Sequence, residues 1–338
     1  MNIDKYTDTI RACRFCFMCR HLSGIGNVTF TEADTPRVRA SLIYGATMHP
    51  EQFTDEDLIR TMYRSDVSGV CRRNCVNSYD EVGLTLAYRA DIVEQGAAPC
   101  YVKAIAEELK NKPQWSVSGE GSMLYIADQY SIDSGAADAF AKLAKGSFKV
   151  AKGGTCGKGL WVLGFRKDAA EAARKFAAVL ESANVETIVT SNPAVYDMLV
   201  NTFAEMEIKL SAKVMHSSEY LADVKVKALG DLYYLDSDFL RCYNDEFAAP
   251  RALLKANGAN IKFFGTNDEE SYTCGEGALV LDKIEAALVE KLAKYIAERA
   301  DDPAEDVIVA GSPYTKCQLA KYTSLKVKTL EEILAEAL

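Results

Sequence analysis

The chain has 338 residues, enough for about two domains and for a core that needs no disulfide or metal staple. Hydrophobic residues make up 49% and charged residues 26%, with only 8 prolines, which excludes a disordered or collagen-like chain. Lys+Arg 39 against Asp+Glu 48 leaves a net charge of −9, so a phosphate backbone would be repelled and no nucleic-acid partner is expected.

Residues 1–115 show no alternating strand pattern; segments 55–64 and 80–94 carry apolar residues at helical spacing, and an all-α domain is expected there. No run approaches the ~18 uncharged apolar residues of a spanning helix, and the first residues lack an apolar signal core. The expectation is a cytoplasmic protein with no transmembrane segment. Beyond Gly119 short apolar runs alternate with amphipathic segments: 123–127, 169–180, 187–190 and 194–206. A second set follows at 232–235, 247–256, 261–264, 284–297 and 307–310, and Thr329 with Glu332 three residues on predicts a capped last helix. Alternation of this kind predicts parallel α/β units.

The two sets keep step. Thr155-Cys156-Gly157-Lys158-Gly159 is echoed by Thr273-Cys274-Gly275-Glu276-Gly277, Asn192-Pro193 by Ser312-Pro313, and Asp128 by Asp238, each after a predicted strand or loop of the same rank. The fold class predicted is therefore α/β with an N-terminal all-α domain. Residues 1–115 form the first unit, and 116–228 and 229–338 form a duplicated α/β pair related by a pseudo-two-fold axis.

Ten cysteines in a reducing compartment point to ligands or redox thiols rather than disulfides. Cys13, Cys16 and Cys19 form CxxCxxC, a spacing that lets one loop wrap three thiolates around a cubane cluster while a remote segment supplies the fourth. In two-cluster ferredoxins the fourth cysteine of each run serves the other run's cluster. Laid on residues 65–75, that ladder falls on Ser65, Ser68, Cys71 and Cys75, and the fourth rung of the front run is Ser23. The crossed rule leaves one complete set, Cys13, Cys16, Cys19 and Cys75, and one set with three of its four members replaced by serine. One [4Fe-4S] cluster is expected, with Cys71 an orphan. A zinc site of four thiolates and a simple group of buried thiols are the alternatives.

These cysteines, with Thr35-Pro36-Arg37, the later Cys-Gly loops, Tyr234-Leu235-Asp236-Ser237-Asp238-Phe239-Leu240-Arg241 with Ala249-Pro250-Arg251, and Met215-His216-Ser217-Ser218-Glu219-Tyr220-Leu221, resemble the iron-sulfur subunits of the heterodisulfide reductase, glycolate oxidase and anaerobic glycerol-3-phosphate dehydrogenase group. The resemblance implies a helical ferredoxin-like domain followed by two cysteine-rich CCG domains. It also implies a flavin-containing dehydrogenase as partner, with the flavin on that subunit and not on this chain. The chain would then be an electron-transfer subunit of an oxidoreductase rather than a catalyst in its own right.

The departures from that family pattern bear on the α/β pair. Threonine precedes Cys156 and Cys274 where the family has a second cysteine, the family's CPxC becomes Asn192-Pro193-Ala194-Val195 and Ser312-Pro313-Tyr314-Thr315, and Asp128 and Asp238 stand in place of leading cysteines. Asp128, Cys156, Asp238 and Cys274 form a second candidate metal or redox-thiol set, in which a helix N-terminus would favour the thiolate. The competing reading is a decayed pocket kept for its shape, its aspartates capping helices. The alternative for the whole chain is a scaffold with a structural zinc or iron site. Cys100, Cys242 and Cys317 read as packing residues.

Overall fold

The computed structural model describes residues 1–266 and 269–338. Every regular element before Ser116 is helical. Asp55 caps the helix Glu56–Tyr63, its carboxylate accepting the amides of Asp57 and Leu58, and Asp80 caps Glu81–Glu94 through the Gly83 amide. The second of these helices is buried along most of its length. Its Arg89, fully buried, donates to the carbonyls of Met62, Tyr63, Ser65 and Val162. One side chain thereby satisfies the end of the helix Glu56–Tyr63 and ties it to the following unit.

Two sheets follow. The first holds β1 (Ser116–Gly119), β2 (Met123–Ala127), β3 (Lys149–Lys152), β4 (Thr187–Thr190) and β5 (Lys213–His216), in the order β1-β3-β2-β4-β5. The second holds β6 (Gly230–Leu235), β7 (Ala259–Lys262), β8 (Val307–Ala310) and β9 (Lys326–Thr329), in the order β7-β6-β8-β9. Every pairing is parallel except β1 with β3. Without β1, the first sheet has the strand order of the second, so the repeat read from the Cys-Gly loops extends to topology. The chain is thus a mixed α/β protein.

The sheets face one another across a shared core in which Met123 and Tyr125 of β2 meet Leu232 and Tyr234 of β6 and the helices Ala136–Leu143 and Leu330–Glu336. The last strands of the two sheets end alike, in capping boxes formed by His216 with Glu219 and by Thr329 with Glu332. Ser217 donates to the buried Glu331 carboxylate across the divide at 2.5 Å.

The helical unit sits on the second repeat through a close backbone approach. A Cβ placed on Gly277 would fall 2.5 Å from the Val67 carbonyl oxygen and 2.7 Å from that of Asp66, so only glycine lets the two segments touch.

Differences from the predicted elements are local. Segment 284–297 is two helices, Leu281–Ile284 and Ala286–Ala297, broken at Glu285. Segment 194–206 is a helix, Pro193–Asp197, running into a π turn at Met198–Thr202. The short lysine-led strands β3, β5 and β9 were not expected.

Candidate metal centre

Cys13 follows the helix Thr7–Ala12 in extended backbone, Phe15 turns the chain back through a left-handed conformation (φ 53°), and Cys19 rides on the helix Met18–Leu22. From the remote segment, Cys71 lies on the helix Val70–Asn74 and Cys75 ends it in extended backbone. The two helices pack together, and Cys13, Cys16, Cys19, Cys71 and Cys75 line one small cavity of about 30 Å³ with Met18, Leu22, Pro36, Val76 and Tyr79 as its apolar wall. The four predicted ligands are therefore brought to one place. The fifth cysteine was missed as a member of the site because the crossed ladder assigns it elsewhere.

Cys13 is the hub of the four. Burial raises its thiol pKa, and the neighbouring Cys75 and Cys16 add to the rise; it acts in turn on Cys19, whose thiol is pushed by burial to about 11. One backbone amide is directed at these sulfurs: that of Phe15 donates to Cys13 Sγ at 3.5 Å. Amides aimed at sulfur stabilise thiolate once a metal has displaced the proton, and they tune cluster potentials. Cys71 differs. It is buried, its thiol pKa is raised well above the usual value by burial, and its Sγ donates to the Cys19 carbonyl.

Around the sulfurs lies a buried charge pair that the sequence did not signal. Arg39 and Glu81 meet at 3.3 Å with both side chains almost wholly buried, and burial raises the Glu81 carboxyl to about 7. His21 is exposed and does not line the cavity.

The serine rungs do not line the cysteine cavity. Ser23, Ser65 and Ser68 are buried. Ser23 caps the helix Gly24–Thr29 by accepting the Gly26 amide and donates to the Asp34 carbonyl, and Ser65 accepts the Val67 amide. The Ser23 and Ser65 hydroxyls satisfy backbone groups, work for which a thiol is a poor substitute.

The four residues of the second candidate set separate into two pairs. Asp128 caps the helix Gln129–Asp133 through the Tyr130 amide, and its carboxylate also accepts from Ser131 and Asn192. With Cys156 it lines a cavity of about 420 Å³ that also takes in Lys158, Asn192 and Val280. Asp238 and Cys274 do not line it. Asp238 instead accepts from Ser271 and Thr273, while its amide donates to Glu276. Burial raises both thiols, Cys156 to about 11 and Cys274 higher still.

At the fourth position of the paired loops, the repeats carry opposite charges. Lys158 is buried against Asp197 at 2.5 Å and donates to Thr202. Glu276 is buried and accepts from Ser237 and from the Asp238 amide. Burial holds the carboxyls of Asp238 and Glu276 well above the usual range, and the Asp238 charge adds to the rise at Glu276.

Among the described residues, no group of three or more His, Cys, Asp or Glu is placed so that it could hold a metal ion. A tetrahedral zinc with Zn–S near 2.3 Å needs its sulfurs within about 4 Å of each other. No helix among the described residues is long and apolar enough to cross a membrane. No protein-family model and no curated protein sequence matches the chain.

Proposed function

We propose that the chain is an electron-transfer subunit of an oxidoreductase, holding one [4Fe-4S] cluster on Cys13, Cys16, Cys19 and Cys75. In this reading residues 1–115 are a ferredoxin-like helical domain, and the two repeats are CCG-type units about a pseudo-two-fold axis. The observation that carries it is the meeting of these thiols, from two segments more than fifty residues apart, in one apolar-walled cavity with the Phe15 amide aimed at the Cys13 sulfur. When bound, such a cluster takes up and returns single electrons without bond-making. The protein's part is to supply four thiolates, to hydrogen-bond them and to limit their contact with water. The donor proposed is a flavin-containing dehydrogenase, named by the sequence resemblance and by nothing in the geometry.

For Asp128, Cys156, Asp238 and Cys274 the reading supported is a pocket kept for shape: the thiols are held protonated, and both aspartates are engaged by neighbouring donors.

Anaerobic purification with metal analysis is the test. About four iron and four acid-labile sulfide per chain, with broad absorption near 400 nm, are expected. One zinc per chain and no iron would overturn the proposal in favour of a scaffold.

A further inference from the structure

The cysteine cavity is flanked by exposed apolar side chains. Phe15, Phe17, Met18 and Val76 stand exposed around it, Phe17 by 64% and Val76 by 80% of their area. Met18 and Val76 belong to the cavity wall itself, and Cys16 is exposed between the aromatic pair. The left-handed backbone at Phe15 is part of the tight turn that presents this apolar group to solvent.

The charge of this surface is as distinctive as its apolarity. Residues 9–31 contain Arg11, Arg14 and Arg20 and no carboxylate; residues 67–79 contain Arg72 and Arg73 and none either. Both cysteine-bearing stretches are thus basic within a chain of net charge −9. Arg37 adds a sixth guanidinium, stacked 4.5 Å over the Phe17 ring. Against these stand Glu32, paired with Arg20 and Arg37, Asp80 with Arg72 and Asp245 with Arg73. Among the described residues, Arg11 and Arg14 have no ion-pair partner.

We infer that this collar is a docking surface for an acidic protein. The inference rests on the reading of the cysteine site as a redox centre, and it names the kind of partner that centre meets. Exposed aromatics, methionine and arginine together are the composition of protein interface cores, where lysine is depleted, and no lysine lies in either stretch. An acidic face would complement the collar while being repelled by the remainder of this chain, which fixes the orientation of encounter at the mouth of the cavity. A single-stranded nucleic acid also suits aromatic and arginine side chains, but three of the six guanidinium charges are balanced by local carboxylates and the whole chain carries the wrong sign.

Titration calorimetry with an acidic flavodoxin as probe tests the inference. At low ionic strength a one-to-one complex is expected, weakened about tenfold or more by the double variant Arg11→Glu/Arg14→Glu, and weakened likewise in about 0.3 M salt. Phe17→Ser, a change at an exposed side chain, provides a second variant and is expected to weaken binding at every salt concentration. Circular dichroism confirms that each variant is folded. Absence of binding at low salt overturns the inference, as does affinity indifferent to both variants. Tighter binding of an oligothymidylate than of the flavodoxin, or self-association abolished by Arg11→Glu/Arg14→Glu, also overturns it by assigning the collar a different occupant. Iron and sulfide measured on the same samples keep the two questions apart: a chain without iron that binds the probe as described sinks the cluster and leaves the docking surface standing.

Discussion

The thiol of Cys71 donates to the backbone carbonyl of Cys19 at 3.5 Å, so of the five cysteines around the cavity one has its hydrogen engaged by the chain itself. The relationship separates two sulfurs only four positions apart on the same segment. Cys75, half-buried at the end of its helix, neighbours Cys13, whereas Cys71 is buried with Leu22 and Val70 and neighbours Cys19.

On the proposed reading, Cys75→Ser is expected to abolish cluster retention, and Cys71→Ser to leave it. Iron and sulfide should fall to background in the first variant and stay near four each per chain in the second. Equal loss in both would show that the crossed ladder misassigns the fourth ligand.

Buried Glu276 is expected to destabilise the folded chain at neutral and alkaline pH. Its folded pKa is raised above the unfolded value, so the stability it allows is complete below about pH 4.5 and is lost as pH rises through the folded pKa. Glu276→Gln removes the ionisation and keeps an oxygen to accept the Asp238 amide. Thermal melts should show the variant higher than the parent by roughly 3–6 °C at pH 8, with the gap closing towards pH 5.

His216 works in the opposite sense. Burial lowers its pKa from 6.5 to about 4, with Nδ1 facing the Ser218 hydroxyl at 2.8 Å and accepting the Ser218 amide. The stability linked to it is present above about pH 6.5 and disappears as pH falls towards 4, because the unfolded chain binds the proton first. His216→Asn keeps an N-cap acceptor and lacks the titration. Relative to this variant, the parent is expected to lose up to about 3 kcal/mol between pH 6.5 and 4 in denaturant unfolding.

Arg89→Leu would leave the carbonyls of Met62, Ser65 and Val162 without their donor in the interior. A loss of about 3–5 kcal/mol is expected, read as a drop in the urea midpoint. Because Val162 belongs to the first α/β repeat, the variant should also expose the junction between the helical unit and that repeat to limited proteolysis.

Much of the fold was legible because its strongest signals are local. The strands Met123–Ala127, Thr187–Thr190 and Val307–Ala310 are buried apolar runs bounded by polar residues, the helices Glu56–Tyr63 and Glu81–Glu94 carry apolar residues at helical spacing, and Thr329 announces its helix as a cap. Strands β3, β5 and β9 were illegible for the converse reason: each begins with lysine and has a single fully buried residue, so little alternation reaches the sequence. The helix break at Glu285 is set by tertiary structure, since the Glu285 carboxylate pairs with Arg64 of the helical unit at 3.3 Å. In the candidate site, CxxCxxC spacing identified three sulfurs and the ladder a fourth. The presence of Cys71 at the cavity depends on how two helices pack, which no spacing rule encodes. Of the charge pair at Arg39 and Glu81 the sequence held no sign, because the partners lie on separate helices. The contrast of Lys158 with Glu276 was in view in the paired loops, although its meaning required their surroundings.

That contrast has a consequence for assembly. Two halves with one strand order invite exchange, in which a loop of one half settles into the mould of the other during folding. Lys158 is matched by the Asp197 carboxylate, and Glu276 by a hydroxyl and an amide hydrogen. A misplaced ammonium would find donors, and a misplaced carboxylate would face a carboxylate, so each half rejects the counterfeit of itself.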